Sequence, residues 1–234
     1  PTSRCSSAAS DVYKRQDVGI RADTIASIGD LSSYSASTEI NAEGMAVAPG
    51  FINMLSWATR SLILDGKSQG DIRQGVTLEV FGEGISMGPV NDKSRQEMQE
   101  YFKDTEITWD TLDEYLRYLE NKGVSTNVAS FAGATTLRIN TVGHDNREAT
   151  PEEMAEMKRM LSEAMSDGAL GLGSSLIYAP AFYSTTEELI ELCKVVSEYD
   201  GMYISHMRNE GNQLLESMDE LIKIAAEADV PAEI

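Results

Sequence analysis

The chain has no run of 18 apolar residues, so nothing in it reads as a membrane-spanning helix. Its two cysteines, Cys5 and Cys193, are too few for a disulfide framework. Basic residues are scarce. Nineteen Lys and Arg stand against 38 Asp and Glu, for a net charge of -19. Phosphate backbones are bound by Lys and Arg clusters, so this balance argues against a nucleic-acid partner. There are only two histidines, His144 and His206. No Gly-x-Gly-x-x-Gly opens a strand–helix unit, which removes the usual signature of a doubly wound dinucleotide fold. The glycine-rich Gly171-Leu172-Gly173-Ser174-Ser175 has no following Lys and no phosphate-loop spacing.

At 234 residues the chain is long enough to bury a sizeable core. Residues 1–16 carry neither an apolar period nor a signal-peptide core, and are expected to be a non-native or disordered tail. The last residues, Val230 to Ile234, read as a strand just begun. The chain is therefore expected to be a fragment of a longer protein, inactive by itself. The expected compartment is the cytoplasm. Periplasm or secretion stay open, because the tail hides the natural N-terminus.

Residues 17–48 read as short strands, with Val18-Gly19-Ile20 and Thr24–Ile28 as the β-type runs and a turn then strand over 41–47. From residue 49 onward the texture becomes strand-then-helix. Candidate strands are Phe51–Leu55, Thr77–Phe81, Asn127–Phe131, Leu170–Ser174, Met202–Ser205 and, weakly, Ala232–Ile234. The helix over Pro151–Asp167 opens with Thr150 as N-cap, proline at its first position and two acids. Its Met154, Met157, Leu161 and Met165 fall at helical spacing and read as core. Thr185–Tyr199 and Asn212–Asp229 repeat the pattern, and Cys193 within the first of these reads as a small core residue. The alternation predicts an α/β fold with a parallel sheet: a (β/α)8 TIM-type barrel over 49–234, about six strands of it present. Residues 86–122 break the rhythm with two helical runs and read as an insertion after the second strand.

Barrel chemistry sits at the C-terminal ends of strands. The polar residues there are Asn53 and Ser56; Glu79 and Glu83; Ser174, Ser175 and Tyr178; and His206, Arg208 and Glu210. His206 follows an apolar strand and precedes a polar turn, which suits a metal ligand, a general base or a hydrogen-bonded core histidine. His144 sits in a polar loop and reads as a surface residue. Glu83 lies between two glycines, where a carboxylate can bind a metal or position water. Glu79 is an acid inside an apolar strand and needs a partner if it faces inward. A Tyr178 hydroxyl, constrained by Pro180, can donate to an oxyanion.

Several stretches together resemble the N-acyl-D-amino-acid deacylase branch of the amidohydrolases. They are Ala48–Asn53, Gln74-Gly75-Val76-Thr77, Gly82–Ser86, Gly171–Pro180 with Thr186-Glu187-Glu188-Leu189, and Tyr203–Gly211. The resemblance runs from about residue 17 to the end. It implies a small β-sandwich built partly from residues 17–48, and a divalent metal, zinc, held at the ends of strands two, five and six. Glu83 and His206 stand at the first two of those positions. The third ligand and a catalytic aspartate would lie beyond Ile234. The family's two first-strand histidines are replaced here by Leu55 and Trp57, so one metal is expected, not two. Tyr178 matches a residue that binds substrate and polarises the scissile carbonyl, and Ser174, Ser175 and Arg208 are the other expected substrate contacts. Asn53 and Glu79 are left without a settled role. The implied activity is metal-assisted hydrolysis of N-acyl-D-amino acids. The alternatives are hydrolysis of a cyclic amide, or a non-catalytic barrel that binds a small ligand. The expected partner is a small-molecule substrate, with no nucleic acid and no membrane; the oligomeric state stays open.

Overall fold

The computed structural model describes residues 2–7, 16–103 and 105–234. It divides into two compact units, Pro1–Gly50 and Phe51–Ile234.

The first unit is built on one four-stranded sheet. Its strands are β1 (Thr2–Ser7), β2 (Gln16–Arg21), β3 (Thr24–Gly29) and β4 (Thr38–Ile40), in the order β3-β2-β1-β4. β1 runs antiparallel to β2, from Thr2↔Arg21 to Ser7↔Gln16, and parallel to β4. Within the segment 1–16, expected to be a non-native or disordered tail, Thr2–Ser7 is a strand and Gln16 begins another, while residues 8–15 lie outside the described residues. Backbone N–H and C=O groups make the ladder, so a segment with no apolar period can still pair. The strand expected near Met45–Val47 does not form. Met45 N–H closes a turn on the Ala42 carbonyl (3.0 Å), and the chain then runs irregularly to Gly50.

The second unit alternates strands and helices. In chain order these are β5 (Phe51–Asn53), α1 (Thr59–Leu64), α2 (Gln69–Ile72), β6 (Val76–Phe81), α3 (Asp92–Tyr101), α4 (Leu112–Lys122), β7 (Asn127–Ser130), β8 (Ala132–Gly133) and α5 (Ala134–Thr141). Then follow α6 (Pro151–Ser166), β9 (Gly171–Ser175), α7 (Thr186–Ser197), β10 (Met202–His206), α8 (Leu214–Ala228) and β11 (Ala232–Glu233). All pairings among these strands are parallel, and the orders are β5-β6-β7 and β8-β9-β10-β11. Only Phe131 separates β7 from β8, and its N–H reaches the Phe81 carbonyl at 2.8 Å. Six parallel strand positions therefore follow one another in chain order. The unit is α/β, as the alternation predicts.

Helix starts follow their caps. Asn91, Thr111 and Thr150 each accept from the backbone at the third helical position, and Ser94, Glu114 and Glu153 reach back to complete capping boxes. The α6 stripe packs inward: Met157, Leu161 and Met165 are buried, and so is Cys193 on α7. Burial pushes the Cys193 thiol up, which removes it as a nucleophile. Helices α3 and α4 occupy the interval between β6 and β7, and a cluster of Ile107, Trp109, Leu112, Tyr115 and Leu119 ties them to the core. Among the described residues no helix is long and apolar enough to cross a membrane.

Candidate active site

Parallel strands in sequence order bring their C-terminal ends to one rim, so residues far apart in the chain become neighbours there. Glu83 follows β6 and His206 ends β10. The Glu83 carboxylate lies 3.5 Å from His206 Nδ1. On the other side of the ring, Glu210 lies 3.2 Å from Nε2. The imidazole is thus bracketed by two carboxylates, one on each nitrogen. Burial raises the Glu83 carboxyl above its ordinary value, His206 pulls it back down, and Glu210 adds to the rise.

The backbone around Glu83 is shaped by its glycines. Gly82 has φ 94° and Gly84 φ 82°, the left-handed region that glycine adopts freely. A Cβ on Gly82 would collide with the Phe131 carbonyl, and one on Gly84 with the Ser175 side chain. In the structure it is the neighbouring strands that approach them.

Ser175 pairs in register with His206 and Ser174 with Ser205. Ser175 Oγ donates to the Glu83 carbonyl at 3.1 Å and so pins the Glu83 turn. Ser174 is fully buried, 2.7 Å from the Tyr203 hydroxyl and donating to Ser205 at 3.0 Å. It belongs to an interior chain of hydroxyls, away from the role of substrate contact expected for it. Tyr178 is different. It is 60% exposed, and its ring lies 5.6 Å from that of His206.

Arg208 was expected to touch substrate. Its Nε and Nη2 form a two-pronged bond to Glu220 at 2.9 and 2.8 Å, and its remaining bonds go to the carbonyls of Phe182 and Ser184. It fastens the loop after β9 to α8. A planar guanidinium matches a carboxylate in this way, which is why the sequence alone could read it as waiting for a ligand. Asn53 accepts locally from Leu55 N–H at 3.3 Å, within a turn.

Glu79 is wholly buried and accepts three hydroxyls: Ser56 at 2.7 Å, Ser68 at 2.8 Å and Thr126 at 2.9 Å. The sequence marked Glu79 as needing a partner, but it missed Ser68 and Thr126. Ser68 holds φ 40°, an unusual backbone for a serine, and only this detail of geometry reveals its task. Leu55 and Trp57 are both exposed and carry no metal-binding atom. His144 is at the surface, as expected, 3.0 Å from Glu97.

Glu83 and His206 offer a carboxylate oxygen and an imidazole nitrogen, a donor pair that suits a divalent transition ion. Among the described residues no group of three His, Cys, Asp or Glu is arranged to hold one. The two donors fit such an ion and supply part of a coordination shell. A cavity of about 330 Å3 adjoins Glu83, walled by the segments after β5 and β6 and by α3 and α5.

No family model matches the chain. A D-aminoacylase of Alcaligenes xylosoxydans xylosoxydans is 36% identical over 223 residues, covering 94% of this chain and 46% of that relative. A solved D-aminoacylase, described for the functional role of its binuclear metal centre, is 30% identical with a TM-score of 0.87, covering 99% of this chain and 51% of its own. The N-acyl-D-glutamate deacylase of Bordetella bronchiseptica, solved with zinc and a phosphonate inhibitor, is 25% identical with a TM-score of 0.86, covering 99% and 50%. The chain spans about half the length of these relatives. By sequence along nearly all of its length, and by fold, it is a homologue of the D-aminoacylases and N-acyl-D-amino-acid deacylases.

Proposed function

We propose that this chain belongs to a metal-dependent hydrolase that deacylates N-acyl-D-amino acids, and that its six parallel strand positions are part of a (β/α)8 barrel. The observation that carries the reading is Glu83 facing His206 Nδ1 at 3.5 Å across two strand ends, in a chain 36% identical to a D-aminoacylase.

Glu83 and His206 Nδ1 would hold the ion, one divalent metal per chain, with zinc the first choice. When bound, such an ion supplies Lewis acidity, acidifying water and polarising an acyl carbonyl. Everything else falls to side chains. Glu210 on Nε2 fixes the ring and the tautomer that leaves Nδ1 facing Glu83, the usual duty of an outer partner to a ligating histidine. Ser175 holds the Glu83 turn. Tyr178 donates its hydroxyl to the carbonyl oxygen as negative charge develops there. Since Leu55 and Trp57, in the segment after β5, offer no donor, neither supports a second ion.

The test is hydrolysis of paired N-acyl-D- and N-acyl-L-amino acids by the metal-loaded hydrolase to which this chain belongs, with and without chelator. Chelator-sensitive release of the D-amino acid, lost in His206→Ala, is the expected result. Metal binding without hydrolysis of any linear amide, but with turnover of a cyclic one, would replace this reading with the cyclic-amide alternative. Neither metal nor turnover would leave a small-ligand binder.

A further inference from the structure

Tyr178 sits in the loop that joins β9 to α7, and that loop is gripped at both ends by the segment that carries His206. At the near end, Leu176 N–H donates to the His206 carbonyl at 2.8 Å. At the far end, Arg208 donates through Nη1 to the Phe182 carbonyl at 2.7 Å and through Nη2 to the Ser184 carbonyl at 2.9 Å. We propose that Arg208 and Glu220 are positioning residues: they hold this loop so that Tyr178 stands against His206, and through Tyr178 they set turnover. The inference rests on the hydrolytic reading above and adds what keeps its carbonyl-polarising group in place.

Between the two grips the loop is tied to itself. Tyr178 N–H donates to the Ser175 carbonyl at 3.1 Å, and Phe182 N–H donates to the Tyr178 carbonyl at 2.9 Å. Tyr183 and Ser184 N–H close further turns on the Pro180 and Ala181 carbonyls, each at 3.0 Å. Phe182 thus gives its N–H to Tyr178 and its carbonyl to Arg208, so one residue joins the guanidinium to the tyrosine backbone. Ser184 Oγ also donates to Glu188 at 2.8 Å, but that bond ties the loop to α7, its own continuation. The bonds from Arg208 tie its far end to the strand that bears His206.

Glu220 gives Arg208 its direction. Its two oxygens take Nε and Nη2, which fixes the guanidinium plane and leaves the remaining N–H groups aimed at the two carbonyls. Thr186 Oγ1 donates to the same carboxylate at 2.8 Å, so Glu220 also fastens the first turn of α7. The side chains of the pair are mostly buried, Arg208 23% and Glu220 12% exposed. A substrate carboxylate would have to displace Glu220 to take the two-pronged seat. A lysine could not replace the arginine here, because its donors all sit on one atom and cannot span a carboxylate and two carbonyls.

The experiment uses the metal-loaded hydrolase to which this chain belongs. Glu220→Gln and Arg208→Lys are made singly, and each is combined with Tyr178→Phe. In whichever of them keeps wild-type circular dichroism, kcat should fall by about ten- to a hundredfold, since a misplacement of about 1 Å costs that much, with KM and bound metal unchanged. In the Tyr178→Phe background the same substitution should cost less than about twofold more, because the group it positions has already lost its hydroxyl. Losses that multiply in the double variant overturn the proposal. So does a rise in KM at constant kcat, the mark of a substrate contact, or loss of the metal. Hydrogen exchange supplies a readout free of catalysis. Amides of residues 176–184 should exchange about tenfold faster in Glu220→Gln while those of β9 stay as they were, and unchanged exchange in the loop overturns the proposal. If the wild type hydrolyses no N-acyl-amino acid, the hydrolytic reading fails by itself and exchange alone decides whether the pair holds the Tyr178 loop.

Discussion

Glu79 shows what a single residue can demand of its surroundings. A carboxylate in the middle of a buried strand must recover what it loses by leaving water, and it does so through three hydroxyls from separate segments. Glu79→Ala would leave Ser56, Ser68 and Thr126 with an empty centre, at a cost of about 3 kcal/mol or more, measurable by urea denaturation. Thr126→Val removes one donor and should cost about 1–2 kcal/mol. The sequence flagged Glu79 as an oddity because acids are rare inside apolar strands. It could not identify the partners, which lie 23, 11 and 47 residues away. Tyr178 makes a complementary case. Its ring packs beside that of His206, a contact that Tyr178→Phe keeps, so the variant should retain its metal and lose about a hundredfold in turnover. Metal content and turnover measured together separate the two effects. Metal loss in Tyr178→Phe would mean that its hydroxyl, not Glu83, is the second donor.

Among the elements, those with a strong local pattern were legible. The apolar runs at Thr77–Phe81 and Met202–Ser205 became β6 (Val76–Phe81) and β10 (Met202–His206), and the Thr150-Pro151 start became α6. Helix α5 was not legible. Its Thr135, Thr136, Ile139 and Thr141 are β-branched and poor helix formers, and burial of the Ala134–Arg138 face overrides that preference. Its anchor is Arg138, fully buried, with Nη1 3.0 Å from both oxygens of buried Glu188 on α7 and further bonds to the Asp145 and Arg147 carbonyls. Removing one member of a buried pair strands the other, so Glu188→Ala should destabilise by about 3–5 kcal/mol. The start of α6 gives a pH signature. The Arg147 side chain, with help from the Thr150 backbone, holds the Glu153 carboxyl down at about 2, against an ordinary 4.5. A depressed carboxyl stabilises the fold above its unfolded value and loses that contribution as pH falls. The stability should decline between about 4.5 and about 2, and Glu153→Gln should flatten that part of an acid-unfolding curve. A slope unchanged in the variant would show that the Arg147 contact contributes nothing.

At the scale of the molecule, parallel strands in chain order do the work that no motif does. They set Glu83 beside His206, 123 positions on in the numbering, and put Tyr178 against the same ring. The alternation of strand and helix made the rim predictable, and with it the candidates. Which candidates face each other was not predictable. Ser174 and Arg208 stand in the right segments, yet the strand pleat turns one into the interior and Glu220 captures the other. Leu55 and Trp57 are the strongest sequence-level statement about stoichiometry, because a missing donor needs no geometry to interpret. Elemental analysis of the loaded protein should therefore give one ion per chain; two would require ligands outside the set described. The most direct test is anomalous diffraction from crystals of the zinc-loaded protein, collected on both sides of the zinc edge. The account predicts a single strong peak about 2.0–2.2 Å from a Glu83 carboxylate oxygen and from His206 Nδ1. A fully occupied zinc elsewhere, or a hydrolytically active protein with no peak at that pair, would contradict it.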